Sequence, residues 1–146
     1  MKKILIVLIV IFIAGCSNIH TSHGDEAEDI AGFINLKDYK PKRVEYELTK
    51  IGDDRLGPAD YTLQAVAYFD PGTFEKLKSD CQSDENLNQF FNSNTFMFEW
   101  LPQEIKEELV TNKQNVKSYT NTKISANPNC EVCFLDNKIL IYYFTN

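Results

Sequence analysis

Two cysteines in "CEVC", Cys130 and Cys133, have the spacing with the strongest claim to chemistry in this sequence. Such a C-x-x-C pair exchanges thiol for disulfide when it sits at a helix amino end, where the dipole lowers the thiol pKa. Here the following residues, "FLDNKILIYYF", read as strand and turn, so that device is missing. His20 and His23 have an H-x-x-H spacing that would serve a transition metal on a helix. No third ligand is positioned nearby, and a solvated linker is the simpler reading. No histidine follows His23, so a body that begins later has no imidazole for Ser-His-Asp or Cys-His catalysis. Glu104, Glu107 and Glu108 cluster in "PQEIKEEL" as glycosidase carboxylates would, but Ile105 and Leu109 mark them as one solvated helix face. Asp53, Asp54 and Asp60 lack the regular oxygen spacing of a calcium loop. Neither a nucleophile elbow nor a glycine-rich phosphate loop occurs. The expectation is a protein without catalytic residues, metal or cofactor.

These residues must be placed in a compartment before they can be placed in a fold. Lys2 and Lys3 precede an uninterrupted apolar run, Ile4 to Ala14. Crossing a bilayer takes roughly 20 apolar residues, so the run is too short to span and has the plan of a secretory signal. Its end, Ile13-Ala14-Gly15-Cys16, resembles the lipobox of bacterial lipoproteins. The resemblance implies cleavage between Gly15 and Cys16, and acylation of Cys16 with a diacylglyceryl group and often a third chain, such as palmitate. It covers these first residues only. Two or more chains hold a protein stably where one does not, so Cys16 would tie the chain to a lipid bilayer in the bacterial cell envelope. Ser17 after the cysteine favours the outer membrane in a Gram-negative cell, by the same resemblance.

Removing residues 1–15 takes away two lysines and no acid, moving the net charge from −6 to −8. An acidic body is unsuited to nucleic acid, whose phosphates demand lysine and arginine. From Ser17 to Gly32 the chain is polar and acidic, which predicts a flexible tether over residues 16–35 and a single globular domain over 36–146. Deleting His20 through Gly24 is then expected to leave folding unchanged.

The body reads as strands, helices, then strands. "RVEYELTK" and "DYTLQAVAYF" alternate apolar and polar residues, and the Gly and Pro of "IGDDRLGPAD" join them as a hairpin. Asp70 and Pro71 open a helix carrying Phe74, Leu77 and Cys81 on one stripe. Ser83 caps a second with Leu87, Phe90 and Phe91. Pro102 starts a third, with Trp100 stapled against Ile105. Between these last two, Phe96, Phe98 and Trp100 alternate as core aromatics. "KSYTNTKIS" forms a strand and "EVCFLDNKILIYYF" a closing hairpin that turns near Asn137. The predicted class is α+β, a two-layer antiparallel sheet of about five strands with two to three helices on one face.

Alternation in the closing hairpin puts Cys130 on the helix-covered face with Cys81, and Cys133 on the other. In an oxidising compartment a Cys81–Cys130 disulfide is therefore expected, with a Cys130–Cys133 bond as the alternative. Three functions fit: a non-catalytic lipoprotein binding a protein or small ligand, an immunity or inhibitor protein being one version; an envelope structural or assembly factor; or a thiol–disulfide oxidoreductase using Cys130 and Cys133. A protein partner in the envelope suits the first.

Overall fold

Backbone pairing between alternating segments organises this chain, and all of it is antiparallel. A computed structural model describes residues 18–53, 57–83, 99–112 and 117–145. The strands are β1 (Ile19–Gly24), β2 (Arg43–Ile51), β3 (Asp60–Tyr68), β4 (Gln82–Ser83), β5 (Ser118–Thr120), β6 (Cys130–Leu135) and β7 (Lys138–Phe144). The helices are α1 (Pro71–Asp80) and α2 (Gln103–Asn112). One sheet runs in the order β1-β2-β3-β7-β6-β5-β4. The α+β class stands, but the described residues form seven strands in place of the expected five or so, six of them three residues or longer. No helix among the described residues is long and apolar enough to cross a membrane.

The two predicted hairpins form in register. Val44 pairs Ala67 and Leu48 pairs Leu63 across β2–β3, while Val132 pairs Ile141 across β6–β7. The closing turn is Asp136-Asn137, and Asn137 adopts φ 51°, a left-handed conformation that asparagine tolerates. "KSYTNTKIS" contributes only three strand residues. Asn121 ends it by accepting the Lys123 N–H on its side chain (2.9 Å) and the Ile124 and Ser125 N–H groups on its carbonyl. The helix expected at "SDENLNQFF" and the aromatics Phe96 and Phe98 fall outside the described residues; Ser83, its expected cap, closes β4.

Helices cover both faces rather than one. On the first face Phe74 and Leu77 of α1 pack with Val44, Leu63, Ala65, Val132, Ile139 and Ile141. On the second, Leu101 and Ile105 pack with Val66, Cys133, Leu135 and Leu140, joined by Trp100 and Leu109. Trp100 and Ile105 thus meet in one cluster, as the staple predicts. The central strands β3 and β7 carry buried side chains on both faces, which is why "AVAY" and "ILI" are continuous apolar runs.

The larger correction concerns residues 16–35. Its described part is no tether. β1 lies against β2 from Ile19↔Ile51 to Gly24↔Tyr46, and Ile30 and Ile34 are 0% and 2% exposed in the core of the first face. The folded body thus includes residues 18–35, which the sequence assigns to a tether, and with them both histidines.

Glu108, expected on a solvated face, reaches the closing turn instead. Its carboxylate accepts the Asp136 N–H (2.9 Å) and the Lys138 ammonium (2.8 Å), locking α2 onto β6–β7. Glu107 takes only the Gln103 amide (3.1 Å), and Glu104 is exposed. Because Glu108 and Lys138 are largely shielded, Glu108→Ala should cost about 1–2 kcal/mol in a urea melt. Glu104→Ala should fall within about 0.5 kcal/mol of the parent.

Candidate functional site

After Gly24 the chain leaves the sheet and folds back on the first face through consecutive turns. Ala31 and Phe33 donate to the Glu28 and Ile30 carbonyls, and Ile34 also donates to Ile30. Burying Ile30 and Ile34 turns Asp25, Glu26 and Glu28 outward, while Asp29 accepts the Tyr46 hydroxyl (2.9 Å). The Tyr46 ring crosses directly over Gly24, where any β-carbon would lie 2.3 Å from its hydroxyl, so only glycine fits.

The next segment, Asn35 to Lys42, supplies the opposite wall. It is tied down by Asn35 N–H to the Ile124 carbonyl (2.7 Å) and Lys42 N–H to the Tyr68 carbonyl (2.8 Å). Lys40 is held at φ 44°, an unfavourable conformation for a lysine. Between the walls lies a groove of about 490 Å³ with an apolar floor that includes Ala31, Ile34, Leu36 and Val44. Its lining carries both signs of charge: Asp25, Glu26 and Glu28 from the first segment, and Lys37, Lys40, Lys42 and Arg43 from the second. Lys42 is committed to Asp70, the N-cap residue of α1, whose carboxylate makes no capping bond. Arg43 is committed to Glu45, which also accepts the Tyr68 hydroxyl (3.2 Å). Lys37, Lys40 and the three acids form no ion pair among the described residues.

On the second face a shallower hollow of about 390 Å³ shares Asp25 with the groove, and His23, Gly24, Glu45, Tyr46, Trp100 and Pro102 complete its outline. His23 lies 3.7 Å from Glu47, and the Trp100 indole donates to Gln64 (3.2 Å). Strand alternation puts His20 and His23 on opposite faces, so their spacing cannot chelate one ion. Among the described residues no three His, Cys, Asp or Glu side chains gather as a metal site.

The cysteines divide between faces as alternation predicts: Cys130 with Cys81 on the first, Cys133 on the second. The expected Cys81–Cys130 disulfide is not formed, nor is the alternative Cys130–Cys133 bond; all three are thiols. Each of the two sulfurs on the first face has its own partner. The Asn121 amide donates to Cys81 (3.5 Å), and Ser125 hydrogen-bonds Cys130. Burial pushes the Cys130 and Cys133 thiols up to about 12, and Cys81 upward as well. Thiolate, the form that attacks disulfides, is thereby disfavoured at all three.

Beside Cys81, the Tyr39 hydroxyl donates to Asp80 (3.0 Å) and accepts from Asn121 (3.0 Å), while Lys123 sits 2.9 Å from Asp80. The Lys123 and Tyr39 hydrogen bonds hold the Asp80 carboxyl below its ordinary value, and Asp80 raises Lys123. A depressed carboxyl stabilises the fold above its unfolded pKa of about 4 and ceases to as pH falls through the folded value. A raised lysine acts below its unfolded pKa of about 10.4 and is lost as pH rises through the folded value. Asp80→Asn should therefore flatten the acid limb of a melting temperature–pH curve and leave the curve's shape from about pH 6 to 8 unaltered.

The groove was hidden in the sequence because its walls come from two short segments, each an ordinary charged stretch. The available signal was four cations in "KDYKPKR", directly before a strand. Comparison with family models, with curated proteins and with solved structures finds no match.

Proposed function

We propose that this chain is a lipid-anchored, non-catalytic protein of the bacterial cell envelope that holds a protein or small ligand at the membrane surface. The observation that carries the binding reading is the groove lined by Asp25, Glu26 and Glu28, by apolar side chains and by Lys37 and Lys40, which form no ion pair among the described residues. Unpaired charges of both signs across 490 Å³ suit a ligand segment that itself carries both signs, with a small apolar body between them. The strained backbone at Lys40 fits a residue held for contact rather than for stability. The lipobox resemblance at Ile13 to Cys16 supports the anchor and the envelope location. Three thiols raised by burial weigh against the oxidoreductase alternative.

The test reverses one wall. In membranes cross-linked before mild solubilisation, Lys37→Glu/Lys40→Glu should reduce recovery of the co-purifying partner at least about tenfold. Both side chains are exposed, so the melting temperature should move by no more than about 2 °C. Undiminished recovery contradicts the groove as the binding site.

A further inference from the structure

We infer that the folded body rests against the bilayer through a tip formed by Ile19 and Ile51. This rests on the lipid-anchored reading above. Ile19 and Ile51 are directly opposed across β1–β2, so their side chains stand together on one face. They are 63% and 39% exposed, and they are the exposed large hydrophobic side chains among the described residues. Among the described residues the other large hydrophobic side chains are buried or half-buried, and this pair makes one apolar point at the end of the sheet.

The chain leading to the anchor decides what meets that point. Asn18 is already fastened to the body, its carbonyl accepting the Gly52 N–H at 3.0 Å. Only Ser17 separates it from Cys16. Two extended residues reach about 7 Å, so an acylated Cys16 lies within about 10 Å of Ile19. The headgroup layer on one side of a bilayer is itself about 5–8 Å deep. A tip tied this closely enters that layer, where exposed isoleucine is better placed than in water. Charge sets the kind of surface. At the tip Lys50, next to Ile51, is outnumbered by Asp60, paired with Ile51, and by Asp53, and the body as a whole is acidic, so the partner is a bilayer of neutral headgroups met by apolar contact. β1 then runs away from the tip, and its six residues set Gly24 and both grooves up to about 17 Å from Ile19.

Brominated lipid tests the contact with the full lipidated chain, purified from membranes and reconstituted in phosphatidylcholine vesicles. Trp100 is the single tryptophan and lies at the Gly24 end, so it serves as an internal reference. In Ile19→Trp and Ile51→Trp the added fluorescence should be quenched by at least half in vesicles brominated near the headgroups. The unsubstituted chain should be quenched by less than about a tenth. Vesicle flotation with no added quenching at either position overturns the tip contact and leaves the anchor standing. The same result with sedimentation as a dimer assigns the patch to a second copy. Failure to float overturns the anchor reading and this inference with it.

Discussion

Ile30→Ala should lower the unfolding free energy by about 2–5 kcal/mol, a large part of the total for a domain of this size. Ile30 is 0% exposed and lies in the first-face cluster with Ile34, Leu36 and Tyr39, beneath a segment that composition alone describes as a tether. Truncation removes buried methyl groups and leaves a cavity that the sheet below, fixed on both faces by α1 and α2, cannot close by collapsing. The neighbouring exposed positions Glu28 and Ala31 provide the contrast: Glu28→Ala should fall within about 0.5 kcal/mol. Deleting His20 through Gly24 belongs to the same prediction and reverses the expectation from sequence. It removes most of β1 and pulls Ile30 and Ile34 from their seats, so the melting temperature of the soluble body should fall by well over about 5 °C. Urea titration of the Ile30→Ala body, with far-ultraviolet circular dichroism, reads the first effect. An unchanged midpoint would place residues 18–35 outside the folded unit.

Cys16→Ser should abolish labelling by a fatty-acid analogue and leave the leader uncut. The proposed anchor makes the effect all or none, because it attaches lipid through a thioether, and a hydroxyl at neutral pH is a far weaker nucleophile than a thiol. The change should spare the fold, whose first strand begins at Ile19. Expressed without residues 1–15, the Cys16→Ser body should melt within about 1 °C of the Cys16 body and remain in the soluble fraction. Pulse labelling followed by fractionation reads both outcomes. Normal processing and lipid labelling of the serine variant would end the lipobox reading.

Much of the fold was legible where side chains had to be buried. Val44, Tyr46 and Leu48 alternate because one side of β2 meets the core, and the same rule separates Cys130 from Cys133 in the sequence alone. β1 escaped because an edge strand needs only its backbone paired. "IHTSHG" has five exposed side chains, and its composition reads as disorder. The second helix-covered face was present in the continuous runs through Val66 and Leu140, but one layer of helices accounted for the remaining alternation too simply. The groove was illegible for a different reason. Glu26 and Lys40 come to line one cleft only after Ile30 and Ile34 fold the intervening chain onto the sheet. Glu108 shows the same limit, since its helix spacing reveals the exposed side of α2 but not that Lys138 waits beside it.

Mass spectrometry of the amino-terminal peptide from the membrane-purified protein tests the central claim most directly. The account predicts a chain that begins at Cys16 and carries a diacylglyceryl group, with or without a third acyl chain on its amine. A chain that begins elsewhere, or an unmodified Cys16, would contradict it.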